Sequence, residues 1–180
     1  MVFAVIVFGL TYFGIKISAD TSVVLGAIEI TVFTALAIWL IVTAGKGNTL
    51  ATFNPASSLE KGSLLGNWQG ILHGMIFAFL AFAGFESSAP LAEEAQNPRR
   101  TVPRAIVLAA ISIGIFYVFC SYAGVVGWGI NNLGSYATNA DPWAVMANRV
   151  WGVFAFIAIL AILNSALANS NAGVNAASRV

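Results

Sequence analysis

Glu86 is where chemistry can first be placed in this 180-residue sequence. It follows Gly84 within FAGFESSAP, residues 82–90, where a long apolar run is interrupted. A bilayer core holds no water to satisfy broken backbone, so an interruption at membrane depth must be covered by protein or line a cavity. An ionisable group beside such a break is costly and marks a candidate functional site. Glu29 is a second acid within an apolar run, about two helical turns beyond the polar residues 20–22. Two readings stay open for it. Either it lies near the membrane end facing water or a polar neighbour, or it faces the bundle interior as a proton or cation site. Glu93, Glu94, Arg99 and Arg100 read as an ion-pair network that sets topology. The sequence has no H-E-x-x-H, no G-x-S-x-G and no paired intramembrane aspartates. No catalytic residue, metal site or cofactor is therefore expected, and the chain does not read as an enzyme.

Composition explains where these residues sit. The chain is 59% hydrophobic and 8% charged, with mean hydropathy +0.86. Soluble domains carry about 25% charged residues, so the solvent for this fold is lipid. A net charge of +1 gives no electrostatic case for nucleic acid. The single cysteine, Cys120, excludes a disulfide within the chain. The sequence opens inside an apolar run and closes at Ser178-Arg179-Val180, the pattern of an internal piece of a larger membrane protein.

The elements follow from the runs. Residues 1–15 read as the end of a helix and Lys16 to Ser22 as a polar link. Asp20, Thr21 or Ser22 could cap a span over 21–44. Residues 45–68 form the longest polar connection. The next segment, 69–96, reads as a helix broken near 83–86. Its first half is about 21 Å long, too short to cross a core of about 30 Å alone. Asn97-Pro98 ends it. Residues 101–128 form a span with Thr101 as N-cap and Pro103 in the first turn. Gly114, Ser121, Gly124 and Gly127 permit close approach on that span. Asp141-Pro142 can open a short surface helix over 142–148. The last helix, 150–178, carries Asn164, Ser165, Asn169, Ser170, Asn171 and Asn175, too many polar groups for a lipid-facing helix. It packs inside a bundle or lines water. With alternating spans, Lys16, Arg99, Arg100, Arg104 and Arg179 share one side, against Lys46, Lys61 and Arg149. The positive-inside rule puts the first side in the cytoplasm.

Residues 82–104, FAGFESSAPLAEEAQNPRRTVPR, resemble the signature of the amino acid–polyamine–organocation (APC) permeases. The matching pattern is F-x-G-F-E, an acidic pair, N-P-[RK]-[RK], and a proline opening the next helix. The ending N-A-A-S-R is similar to that family's eighth helix. The resemblance covers the whole chain, as the end of helix four through helix eight. It implies an all-α polytopic membrane protein, part of a LeuT-like inverted-repeat helix bundle, with residues 1–180 belonging to one transporter domain. The implied location is the cell (plasma) membrane, as a multi-pass protein.

The resemblance also implies a mechanism. The last carbonyls of the first half-helix lack intrahelical partners and carry the negative end of its dipole. They favour a substrate ammonium, so the chain resembles the amine-binding half of an amino acid site formed by Phe82, Ala83, Gly84, Phe85 and Glu86. Phe82 and Phe85 flank the break, each as a gate over the substrate or as ordinary packing. A low-dielectric surrounding disfavours the charged form of a carboxyl, which suits Glu86 as a proton-linked gate. The alternative is a structural carboxylate bonding the broken backbone of helix one. Some relatives carry a lysine near Glu29 in place of a sodium ion. An acid there turns the expectation toward proton coupling or a structural role, and away from sodium. The expected partners are an amino acid, the lipid bilayer and a proton. A transport-inactive sensor or membrane assembly subunit of the same fold is the alternative. Liposomes containing residues 1–180 alone are expected to take up no amino acid, and uptake by that chain would refute the expectation.

Overall fold

Lipid favours elements whose backbone groups are paired internally, and this chain answers with helices. The computed structural model describes residues 15–53, 66–84 and 97–177. Six α-helices lie among them: α1 (Ile15–Ala44), α2 (Gly66–Phe82), α3 (Pro98–Trp128), α4 (Leu133–Thr138), α5 (Pro142–Trp151) and α6 (Phe156–Ala177). Short 3-10 turns stand at Gly45–Gly47, Leu50–Phe53, Ile130–Asn132 and Gly152–Ala155. The described residues contain no strand. Among the described residues, three stretches are long and apolar enough to cross a membrane: Asp20–Gly47, Pro98–Trp128 and Pro142–Val174. The chain is thus the expected all-α polytopic membrane protein. Large apolar side chains on its outside, among them Val42, Phe77, Phe79 and Ile115, are more than half exposed. Such a surface belongs against lipid or further helices rather than water.

Contacts along the helices give their directions. Asn164 donates from Nδ2 to the Leu25 carbonyl at 2.7 Å, and Asn171 donates to Ser22 Oγ at 2.7 Å. Higher numbers on α6 meet lower numbers on α1, so these two helices are antiparallel. Leu40 meets Gly127, while Ile30 shares a small cavity with Ser112 and Phe116, so α1 and α3 are parallel. Between them in sequence, α2 runs antiparallel to α3, with Phe82 beside Gly114.

The core sits at the far end of α1. Leu36, Leu40, Met146, Ala147, Ala155 and Ala158 are buried together, with Trp128, Tyr136, Trp143, Val150 and Trp151 packed around them. Phe33 meets Trp143 edge to face, centroids 5.5 Å apart. Arg149 lies over the Trp128 ring at 5.5 Å and donates to the Gly127 carbonyl at 3.2 Å. Asp141 caps α5 by accepting from the Ala144 N–H at 3.1 Å, with Pro142 following. Asp-Pro therefore opens the short helix expected there, which buries Met146 and Ala147 and leaves Val145, Asn148 and Arg149 exposed.

Several boundaries differ from the sequence expectation. The stretch read as a polar link is helical from Ile15 onward. Asp20, Thr21 and Ser22 lie inside α1 and so do not cap it, and the Ser22 hydroxyl accepts from Asn171 across the α1–α6 contact. A 30-residue α1 is about 45 Å long, so its charged first turns extend beyond a core of about 30 Å. Helix α3 starts at Pro98, not at 101. Pro98 holds the first-turn place, and the Asn97 carbonyl accepts from the Arg100 and Thr101 N–H groups. Pro103 consequently lies inside the helix. The last helix starts at Phe156, because Gly152 at φ +54° separates it from α5. Residues 1–14, the second half of the broken segment at 87–96, and Arg179 lie outside the described residues.

Close approach at Gly127 is the constraint this packing tests best. A Cβ there would stand 2.9 Å from the Leu40 Cβ, an atom too near the backbone to yield. Gly127→Val is expected to destabilise the fold by about 1–3 kcal/mol, read as a lower unfolding temperature in detergent. Gly26→Ala, whose Cβ would meet nothing within 4 Å, is the control, expected to stabilise the helix by about 0.5–1 kcal/mol.

Candidate functional site

The apolar run of α2 ends where the sequence places its break. The helix stops at Phe82, the Ala83 N–H bonds the Leu80 carbonyl at 3.2 Å, and Gly84 takes φ +104°. That backbone conformation is open to glycine and strained for other residues. Space is not the reason for glycine, since a Cβ at Gly84 would meet nothing within 4 Å. At 17 residues, α2 spans about 26 Å. It ends with no basic residue in its last turn, so no side chain of its own offsets the negative end of its dipole.

A donor from the neighbouring helix reaches this end. The Tyr117 hydroxyl of α3 donates to the Ala81 carbonyl at 2.8 Å. The Phe82 ring stands edge-on to Tyr117, with centroids 5.4 Å apart and planes at 83°. Phe82 also lies over Gly114, one turn earlier on α3, where a Cβ would come within 3.3 Å of its Cζ. Along the rest of its length α2 makes few close backbone approaches to any described element. Beside this contact lies an open cavity of about 780 Å³, between α2, α3 and the turn Leu50–Phe53. Gly74, Phe77, Ala81, Phe82, Tyr117 and Ser121 help to line it. Tyr122 closes its other end, where its ring stacks on Phe53 at 5.3 Å and its hydroxyl bonds Asn48 Oδ1.

Of the expected site residues, Phe82, Ala83 and Gly84 are together at the end of α2, with Phe82 half-buried and Ala83 exposed. Phe85 and Glu86 lie outside the described residues, as do Glu93 and Glu94. Glu29 is half-buried on α1, one turn beyond Leu25 and on the stripe that continues to Leu36 and Leu40. Its described neighbourhood is the α1–α6 contact rather than the end of α2. Among the amides of α6, Asn164 and Asn171 face α1, and Asn171 is fully buried. Asn169 and Ser170 are exposed, and the Ser170 hydroxyl returns to the Ala166 carbonyl at 2.7 Å. Sequence reasoning did not single out Tyr117. The available signal was a hydroxyl in an apolar span, which needs an acceptor, one turn from Gly114.

The chain matches the family model described as amino acid permease over residues 1–180. It is similar to an uncharacterized transporter of Mycobacterium tuberculosis, 37% identical over 111 residues, covering 58% of this chain and 23% of the relative. It is similar to an uncharacterized amino-acid permease of Schizosaccharomyces pombe, 25% identical over 170 residues, covering 92% of this chain and 31% of the relative. It also resembles the branched-chain amino acid permease of Lactococcus lactis, 37% identical over 82 residues, covering 44% of this chain and 17% of the relative. The chain thus spans less than a third of the length of each of these relatives. No solved structure matches it.

Two glycines on α2 and its end separate conformation from crowding. Gly84→Ala, at φ +104°, is expected to cost about 1–3 kcal/mol. Gly74→Ala, in the helix with nothing within 4 Å of its Cβ, is expected to be stabilising by about 0.5–1 kcal/mol. Unfolding temperatures in the same detergent compare the two, and equal shifts would refute the assignment of a strained turn at Gly84.

Proposed function

Because this chain belongs to the amino acid permease family, we propose that the protein carries amino acids across a membrane by alternating access, with the substrate amine bound at the end of α2. The observation that carries this reading is the end of α2 itself. A charge-free apolar helix stops at Phe82, turns through Gly84 in the left-handed region, and has no basic side chain in its last turn. A cation near such a terminus gains about 0.3–1 kcal/mol at exposed sites and up to about 2 kcal/mol when partly buried. An anionic ligand is disfavoured there, and a neutral donor gains a hydrogen bond without the charge–dipole attraction. Interrupted helices whose half-helix ends meet the substrate are also how transporters build their midplane sites.

The site as proposed consists of Phe82, Ala83, Gly84, Phe85 and Glu86, with Glu86 as the proton-linked gate. Glu29 is a second candidate for proton exchange, supported by its half-buried place in an apolar span. A group holding the substrate carboxylate is expected from the part of the relatives' length that this chain does not span. The proposed location is the plasma membrane, with Arg99, Arg100 and Arg104 on the cytoplasmic side. These three are exposed at the start of α3, whose 31 residues outreach the hydrocarbon core.

The test is uptake of a panel of labelled amino acids by the whole protein reconstituted in liposomes, with and without a pH gradient. Saturable uptake of at least one amino acid is expected. Binding without movement would favour a sensor of the same fold, and neither binding nor movement would refute the reading. Glu86→Gln is expected to abolish gradient-driven uptake while binding is retained. Wild-type uptake in that variant would remove Glu86 from the gate.

A further inference from the structure

We propose that Tyr117 is a positioning residue for the substrate ammonium, fixing both the carbonyls and the phenylalanine ring at the end of α2. The inference rests on the transport reading and extends it to a residue on a different helix.

The last four carbonyls of a helix have no intrahelical partner. At the end of α2, the Leu80 carbonyl takes the Ala83 N–H and the Ala81 carbonyl takes the Tyr117 hydroxyl. Tyr117 is therefore an external donor to the final turn, and its bond to the Ala81 carbonyl helps to fix the directions of the neighbouring carbonyls. The same side chain orients Phe82, whose ring is edge-on to Tyr117 and seated on Gly114. Few other close backbone approaches tie α2 to the described elements, which makes this contact a main tie of its end among the described residues. An ammonium group presents three N–H donors. It binds well only where acceptors converge on it, and a final turn free to swing would not keep them convergent.

Tyr117→Phe isolates the hydroxyl, because the ring that meets Phe82 is kept. In the whole protein reconstituted in liposomes, this variant is expected to raise KM for the transported amino acid about 2–10-fold, the range for losing one hydrogen bond. Vmax per folded molecule is expected to stay within about twofold. A merely structural tyrosine would lower the amount of folded protein and Vmax while KM stayed put. Gly114→Ala leaves the hydroxyl in place and pushes on Phe82 through a Cβ that would lie 3.3 Å from its Cζ. It is expected to raise KM as well, and the two changes together are expected to raise it by less than the product of the separate effects. Unchanged KM in folded Tyr117→Phe overturns the proposal, as does a loss confined to Vmax. If Tyr117→Phe yields no folded protein, Gly114→Ala decides alone, a raised KM supporting the proposal and an unchanged one overturning it. A wild-type protein that moves no amino acid overturns the transport reading and this inference with it. Wild-type uptake with an indifferent Tyr117→Phe overturns only the latter.

Discussion

The structure depends on one constraint: a backbone carbonyl at membrane depth needs a partner from the protein. Helix interiors meet it automatically and helix ends do not. Other described ends avoid the difficulty by lying near polar segments, as at the charged start of α1 and at the Arg99–Arg100 start of α3. At the end of α2 it is met differently, in a helix whose 17 residues are too few to cross a core of about 30 Å. Its solution is a left-handed glycine and a hydroxyl from the next helix, the Tyr117–Ala81 hydrogen bond. That bond couples α2 to α3 at the end of the helix.

The remaining packing divides into a firm part and a lightly held one. Helices α1, α3, α5 and α6 meet around Leu36, Leu40, Met146 and Ala158, and their approach is tightened by Gly127. Amide bonds from Asn164 and Asn171 add polar ties along α1. Such ties are worth less in lipid than intuition suggests, on average about 0.6 kcal/mol each. They contribute register more than energy, since each amide has only one place along α1 where its partner is in reach. Helix α2 has no comparable seam among the described residues. Among the described residues, a hydroxyl and a ring meet its end, and a cavity lies alongside.

What was legible in the sequence follows the range of the interaction concerned. Gly84 was visible because a local rule, glycine interrupting an apolar run, is enough to place a turn. Asp141-Pro142 was visible for the same reason, although which face of its helix is buried was not, because the partners Leu36 and Leu40 are remote in sequence. The start of α1 was misread. Lys16 to Ser22 looks like a link until Asn171, 149 residues further on, supplies the partner for Ser22. Thr101 looked like a helix cap because Pro103 follows it, yet Pro98 is the better first-turn proline and the helix starts there. Tyr117 stayed hidden because an aromatic residue in an apolar span satisfies every local expectation of packing. Only the position of Ala81 on another helix shows that its hydroxyl has a task.

Recognition through backbone carbonyls has a consequence for selectivity. A carbonyl is the same group whichever residue bears it, so a helix end can attract an ammonium without regard to what else the ligand carries. Under the proposed function, the end of α2 therefore accounts for the amine common to α-amino acids and for nothing beyond it. Discrimination among substrates must fall to side chains that face the substrate's own side chain. The described surroundings of this end are apolar, with Phe77 and Phe82 on α2 and Tyr117 and Val118 on α3. A hydrophobic pocket separates ligands by size at about 1–3 kcal/mol per methylene and rejects polar ones weakly. A sharply selective carrier would thus need polar contacts from elements beyond α2 and α3. A broad one would need only the apolar surroundings and the carbonyl array that Tyr117 holds in place.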